Sequence, residues 1–413
     1  MYLAASRARQ DTGDPATATG GRRVAGAVIA LGSVSLVTDV SSEMVTAVLP
    51  LYLVIGLGLS PLQFGLLDGL YNGATALVRL AGGHAADRWR RHKLVAGTGY
   101  ALSVLSRLGL LAATPAALST AIAADRVGKG IRTAPRDALI TLHSAEHHLG
   151  RAFGVHRAMD TTGAMLGPLV AFALLWLTAG AYDAVFVVSF CIGALGLLIL
   201  IAFVPGAAGR DSGSTSPAAP RSGPSLRSTL ALVGAPGFRR VLLAATLLGL
   251  VSVTDGFLYL VLQDRLDIDT AYFPLLPLGS AAVYLVLAVP LGRLADRIGR
   301  RTPFLLGHLA LLGAYAAVLV PVGGPVLVLL LHGIYYAATD GVLMALGGPL
   351  VPRERRAGGL ALLQTGQATG RLLASVLFGA AWTAWGMTPA LVAAACALAV
   401  GLGAAAVILR EAR

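Results

Sequence analysis

Charge is what this 413-residue sequence has least of: Asp, Glu, Lys and Arg make up 13% of it, about half the share of an ordinary soluble domain. With 56% apolar residues and a mean hydropathy of +0.75, most of its surface must meet something other than water. That excludes the pair of soluble domains its length would otherwise allow. Cysteine is nearly absent: Cys191 and Cys396 lie in separate apolar stretches, so neither a disulfide framework nor a thiolate metal site is implied. No cleavable leader is visible, because residues 1–23 are a polar tail without an apolar core, which leaves the first hydrophobic helix as the insertion signal. The phosphate-loop pattern is also missing. Gly128-Lys129-Gly130 has neither the earlier Gly nor the following Ser/Thr, which argues against an ATP-driven pump. No serine or cysteine nucleophile constellation occurs, so no enzyme activity is expected, and no cofactor.

What is present is basic. The net charge of +12 raises nucleic acid as a partner, but the Lys and Arg residues recur between apolar stretches instead of forming one aromatic-interleaved patch. No nucleic-acid partner is expected; the pattern is that of cytoplasmic membrane loops. A helix needs about 20 mostly apolar residues to cross the hydrocarbon. Such stretches fall near 27–54, 62–86, 94–113, 116–138, 151–178 and 183–204, and again near 239–262, 272–292, 304–322, 325–350, 357–383 and 388–409. The expected organisation is a disordered tail over 1–23, a six-helix bundle over 24–204, a Gly/Ser/Pro-rich cytoplasmic linker over 205–238, and a second six-helix bundle over 239–410.

Basic residues set the orientation. With both termini cytoplasmic, 24 of the 32 fall in tails, cytoplasmic loops or cytoplasmic span ends. Seven lie deeper (Arg79, Arg107, Arg126, Lys129, Arg132, Arg157 and Arg371) and only Arg265 falls outside. The opposite topology reverses the positive-inside bias. The expected location is the cytoplasmic membrane, multi-pass, as a monomer.

The halves echo each other. GGHAADRWRRHK at 82–93 recurs in kind as LGRLADRIGRRT at 291–302, each after the second span of its half, and Thr38-Asp39 in span one is matched by Thr254-Asp255 in span seven. Two equivalent bundles about an axis normal to the membrane are how alternating-access carriers build a midplane site.

These residues resemble the major facilitator superfamily. Gly292, Asp296, Arg297, Gly299, Arg300 and Arg301 match its loop signature G-x-L-A-D-R-x-G-R-R, and Gly83, Asp87, Arg88 and Arg91 match it in the first half, with Arg90 in place of a Gly. Arg126-Val-Gly-Lys129-Gly130 looks like R-x-x-Q-G, with Lys for Gln. Gly154, Gly163, Gly167 and Pro168 fit G-x8-G-x3-G-P of the drug:proton antiporter branches, without that pattern's closing Gly pair. SLVTDVSSEM, DRVGKGIRTAPRDAL and HRAMDTTGAMLGP also look like a bacterial permease subgroup with a TDxSSEM first helix. The resemblance implies an all-α membrane protein of twelve helices in two pseudo-symmetric bundles and a role in proton transfer for Arg126. It also implies gating by the two loops and export of a small organic molecule driven by the proton gradient.

Charge at the centre of a membrane helix costs roughly 2.5–3.5 kcal/mol on insertion scales, so each such residue is a functional candidate. In span four, Asp125, Arg126, Lys129, Arg132, Arg136 and Asp137 fall within an arc of about 140°, a face that cannot look at lipid. Ser35, Asp39, Ser42, Glu43 and Thr46 share one face of span one, and His156, Arg157 and Asp160 cluster in span five. With His156 neutral, these three faces sum to zero charge, a balance that a proton or an anion would upset. Asp39 or Glu43 is the expected proton acceptor, with Asp160 behind them. Ion pairs that only lock the bundle are the other reading.

In the second half the interior holds Asp255, Asp340 and Arg371, one negative charge in excess, available to a proton or a cationic substrate, or to a partner across the halves. Gln364 and Gln367 are expected either to line the cavity or to pack helices. Asp68 and Arg107, at similar depth on adjacent helices, are expected to pair. Gly163-Ala-Met-Leu-Gly167 with Pro168 reads as a close-packing and bending device. His143, Glu146, His147 and His148 have metal-like spacing in a solvated loop, and no metal site is expected there. Two further classes stay open: a carrier of an anionic solute, metal or metal chelate, and a non-transporting sensor.

Overall fold

The computed structural model describes residues 26–71, 73, 92–112, 114–144, 149–205, 231–320, 323–352 and 356–410. Over these residues the chain is helical, with no strand. The first half comprises α1 (Gly26–Leu51, continued by a π-turn over Tyr52–Gly56), α2 (61–71), α3 (His92–Gly109), α4 (Pro115–Leu142), α5 (Leu149–Leu177) and α6 (Tyr182–Phe203). The second comprises α7 (Pro236–Val251), α8 (Asp255–Arg265), α9 (Leu275–Ile298), α10 (Arg301–Leu319), α11 (Gly324–Gly347), α12 (Arg356–Trp385) and α13 (Met387–Ile408). Because α7 and α8 are the two parts of one span, thirteen helices make twelve crossings. Gly83, Asp87, Arg88 and Arg91 of the first signature loop, with Arg79 and Arg90, lie outside the described residues. So do Glu146, His147, His148, Arg355 and residues 206–230 of the linker.

The helices follow the hydropathy pattern closely, since in hydrocarbon a backbone must satisfy its own hydrogen bonds. Among the described residues, nine spans are long and apolar enough to cross a bilayer on composition alone. α4 fails that test through its charges, and the structure buries Arg126 and Arg132 to 5% and 3% exposure. Apolar side chains such as Leu198, Ile201 and Val400 are exposed on the outer faces of α6 and α13, where acyl chains replace water.

The seventh span departs from expectation. It reads as one apolar run, yet it breaks at Ser252-Val253-Thr254. Ser252 Oγ donates back to Leu248 O at 2.7 Å, and the freed Val253 N–H finds the Tyr315 hydroxyl of α10 at 2.8 Å. Broken backbone is tolerated at membrane depth where protein supplies such partners. The break places Asp255 in the first turn of α8, where the helix dipole favours negative charge.

Small residues let the helices approach. Gly163 abuts the backbone of Leu36, and a Cβ on Gly167 would lie 2.7 Å from Glu43 Cβ and 2.9 Å from Met44 N, so α5 is pressed onto α1. In the second half Gly366 and Gly370 press α12 onto α7 in the same way, at Thr246 and Leu250. Pro168 leaves α5 unbroken. Gly154 faces open space.

Between the halves, Phe64 of α2 stacks edge-on to Phe257 of α8 at 4.7 Å, and Phe257 in turn meets Phe378 of α12 at 4.8 Å. Near the same end of the bundle, Tyr272 lies 5.5 Å from Phe172 and 5.7 Å from Trp176.

Replacing Gly167 by Leu is expected to lower stability by about 1–3 kcal/mol through overpacking, whereas Gly154→Ala leaves it unchanged or slightly higher. Unfolding of the purified variants in detergent checks both.

Candidate transport cavity

The α1 face predicted from periodicity meets the α4 face as an antiparallel ladder. Glu43 Oε1 lies 3.5 Å from Lys129 Nζ, Asp39 Oδ1 lies 3.4 Å from Arg132 Nη2, and Ser35 Oγ accepts from Arg136 Nη1 at 3.5 Å. Steps of four residues along α1 are answered by steps of three or four back along α4, as facing helical stripes require. At one end α5 joins: His156 Nε2 lies 2.9 Å from Ser35 Oγ, and Asp160 bridges Arg136 (3.6 Å) and Arg157 (3.4 Å). At the other end Asp125 sits between Arg126 and Arg107, the latter at 2.9 Å, and Arg107 also donates to Ser42 Oγ at 2.8 Å. The Arg126 guanidinium lies 3.9 Å over the Tyr71 ring and that of Arg132 4.5 Å over Tyr100.

Two expectations are corrected here. Arg107 does not pair with Asp68. It faces α1 and α4, while Asp68, on the glycine-lined face of α2, looks across the halves and accepts from Ser375 Oγ of α12 at 2.7 Å. Equal depth brought the two together on paper; helix rotation separates them. The first-half network is also not neutral. Arg107 joins it, so that among the described residues it comprises Asp39, Glu43, Asp125, Asp137 and Asp160 against Arg107, Arg126, Lys129, Arg132, Arg136 and Arg157, six bases minus five acids, or +1.

A cavity of about 500 Å³ lies between the halves, walled by α1, α2, α5, α8, α9, α11 and α12, with Ile122 of α4. Of the sequence candidates, Glu43, Arg157, Asp255, Asp340 and Arg371 line it. Asp39, Asp125, Arg126, Lys129, Arg132 and Asp160 are not among the lining residues; they stand behind the wall in the ladder. Gln364 is exposed and Gln367 half-buried, and neither lines the cavity. Asp255 accepts from the Tyr336 hydroxyl at 2.6 and 2.7 Å and lies 3.3 Å from His332 Nε2. Arg371 donates to the Tyr335 hydroxyl at 3.0 Å and lies 5.6 Å from the Tyr336 ring centre. A Cβ on Gly256 would lie 3.5 Å from Asp68 Oδ1, so carboxylates from opposite halves meet at the start of α8.

The wall contains Asp68, which the sequence reading placed only in a pair with Arg107, and residues it passed over: Tyr71, Tyr259, Tyr284, Tyr335 and Tyr336, with His332 bonded behind Tyr259 at 3.2 Å. A signal existed. His332, Tyr335, Tyr336 and Asp340 recur at helical spacing on α11, the same periodicity that revealed span four.

The second signature loop holds its own half together. Gly299, at φ +92°, makes the turn from α9 to α10. Arg300 donates to Ala345 O and Arg301 to Ala406 O, both at 2.7 Å, and these are carbonyls of the last turns of α11 and α13, which have no helical partner. Asp296 is exposed, 3.6 Å from Arg300, and Gly292 and Arg297 make no bond across the halves among the described residues. Among the described residues, no cluster of three or more His, Cys, Asp or Glu side chains is placed to hold a metal ion.

Two six-helix halves around a shared polar cavity define a membrane carrier, and comparison with known proteins gives the family. The Major Facilitator Superfamily model matches residues 31–375 and again 241–413. The chain belongs to the major facilitator superfamily and is a multi-pass membrane transporter of a small molecule, not an enzyme. It is 28% identical over 368 residues to an uncharacterised MFS-type transporter of Methanocaldococcus jannaschii, covering 86% of this chain and 88% of that one. Over 157 residues, 38% of each chain, it is 36% identical to an uncharacterised protein of Mycobacterium tuberculosis. Among solved structures, the nucleoside transporter NupG superposes with a TM-score of 0.77 at 14% identity, over 93% of this chain and 99% of that one. A POT family transporter in complex with 5-aminolevulinic acid superposes with a TM-score of 0.75, also at 14% identity, over 94% and 97%.

Asp125→Ala is expected to destabilise the protein by roughly 3–5 kcal/mol, because it leaves two buried guanidiniums without their counter-ion. Asp137→Ala, at a carboxylate 43% exposed, is expected to cost well under 1 kcal/mol. Thermal unfolding of the two variants in one detergent gives the comparison.

Proposed function

We propose that this chain is a proton-coupled secondary transporter of the cytoplasmic membrane that exports a small organic molecule by alternating access, both termini being cytoplasmic. The observation that carries the reading is the charge of the cavity wall among the described residues: four carboxylates (Glu43, Asp68, Asp255 and Asp340) against two guanidiniums (Arg157 and Arg371), contributed by both halves. In a low-dielectric site an excess of negative charge is compensated by protons or by the bound solute, and either one alters the need for the other. That exchange is the physical basis of coupling.

Glu43 is the better-placed of the two span-one proton acceptors. It lines the cavity while holding Lys129, whereas Asp39 lies behind, on Arg132. A proton on Glu43 releases Lys129 and loosens one rung of the ladder between α1 and α4. Arg126 contributes by holding Tyr71 in the wall through its guanidinium face. The direction of transport rests on the span-five pattern Gly154, Gly163, Gly167 and Pro168. With cytoplasmic termini, the aromatic contacts of Phe64, Phe257 and Tyr272 sit at the outer side, and among the described residues Arg300 and Arg301 bind their own half. Both features suit an inward-facing state, in which the signature loops are free to close later across the halves.

Proteoliposomes loaded with a pH-sensitive dye and challenged with a compound library under an imposed pH gradient test the coupling. The expected outcome is a compound that leaves the lumen equivalent to the cytoplasm as protons enter it. Glu43→Gln should abolish the coupled flux while the protein remains folded. Solute movement indifferent to the gradient would overturn the proposal.

A further inference from the structure

The cavity wall also carries information about its occupant. Four of its six ionised side chains already have partners: Glu43 has Lys129, Asp68 has Ser375, Asp255 has Tyr336 and His332, and Arg371 has Tyr335. Two do not. Arg157 of α5 is 79% exposed, and Asp160, its one ion-pair partner among the described residues, is shared with Arg136. The surplus positive charge of the first-half network therefore surfaces at Arg157. Asp340 of α11 is exposed and makes no ion pair among the described residues; its contact is with the Tyr284 hydroxyl of α9, which also faces Arg157. These two incompletely answered charges are opposite in sign and come from opposite halves.

We propose that the cavity takes a zwitterionic small molecule, with its ammonium group on Asp340 and its carboxylate on Arg157. A purely cationic solute would leave Arg157 with only the carboxylate it shares with Arg136, and a purely anionic one would leave Asp340 with only a tyrosine hydroxyl. A zwitterion answers both, and its ammonium competes with a proton for one of the wall carboxylates, so solute binding and protonation stay linked. It also touches one pole on each half, and a ligand held by both bundles favours the arrangement that brings them together. The volume of about 500 Å³ admits a molecule with an apolar body between its two charged groups, against Tyr284, Tyr259 and Phe273.

This inference rests on the transport reading only in taking the cavity as the substrate site, and its test needs no ion gradient, so the two can fail separately. The full-length protein in detergent is titrated with α-, β-, γ- and δ-amino acids of aliphatic and aromatic skeletons, their methyl esters (cations) and their N-acetyl derivatives (anions), reading the melting temperature. At least one zwitterion should raise it in a concentration-dependent way, and its ester and N-acetyl forms should bind roughly tenfold or more weakly. Arg157→Gln should erase the preference over the ester, and Asp340→Asn the preference over the N-acetyl form. Both side chains are exposed in the cavity, so neither change disturbs packing. The proposal is overturned if no zwitterion shifts the melting temperature, if esters or N-acetyl forms stabilise the wild type as well, or if the preference survives both substitutions.

Discussion

An ionised side chain inside a bilayer has no water to fall back on, so the protein itself must supply its partner. That constraint organises the first half. Span four carries six ionised residues, and α1 supplies a matching stripe whose rungs run from Ser35 and Arg136 through Asp39 and Arg132 to Glu43 and Lys129. Once α4 must face α1 along this line, the rotation of both helices is fixed. α5 then closes on another side of α1 through Gly163 and Gly167, where any Cβ would meet backbone or side-chain atoms.

The second half uses the same scaffold with different chemistry. Asp39 on α1 meets Arg132 on α4; Asp255, its sequence counterpart, meets His332 and Tyr336 on α11. Arg–carboxylate pairs in the first half are replaced by tyrosine hydroxyls and a histidine in the second, so the carboxylates there are answered by hydrogen bonds more than by full charges. Asp255 also sits at a break in its span, where the first turn of α8 adds its own N–H groups. The result is a cavity whose wall on one side is backed by a dense ionic ladder and on the other by a softer hydrogen-bonded set.

How much of this was legible beforehand follows from what periodicity measures. Hydropathy located the spans because each must cover the same thickness of hydrocarbon, and α5, α6 and α13 begin and end within two residues of the expected limits. Helical spacing gave the polar faces of span one and span four correctly, since a stripe of charge can only point inward. The same spacing gave no partner for Asp68, because depth in the membrane is readable from sequence and rotation about the helix axis is not. The tyrosines of the wall escaped notice for a related reason. Tyrosine is at home both in a packed core and beside water, so its presence in an apolar span signals nothing until its neighbours are known. The break at Ser252-Val253-Thr254 was hidden too, because its stability depends on Tyr315, sixty-two residues away along the chain.

By itself, then, the order of residues determined that this chain is a twelve-span membrane carrier of two related halves and that certain faces of spans one, four and five look inward. These are consequences of local composition acting against a fixed solvent thickness. Only the tertiary structure decided which charges answer one another, that the first-half network is left one positive charge in excess among the described residues, and that Arg157 and Asp340 line the cavity from opposite halves. Those outcomes depend on how each helix is turned against its neighbours, and that angle is set by the packing of the whole bundle, glycine against backbone and guanidinium against carboxylate.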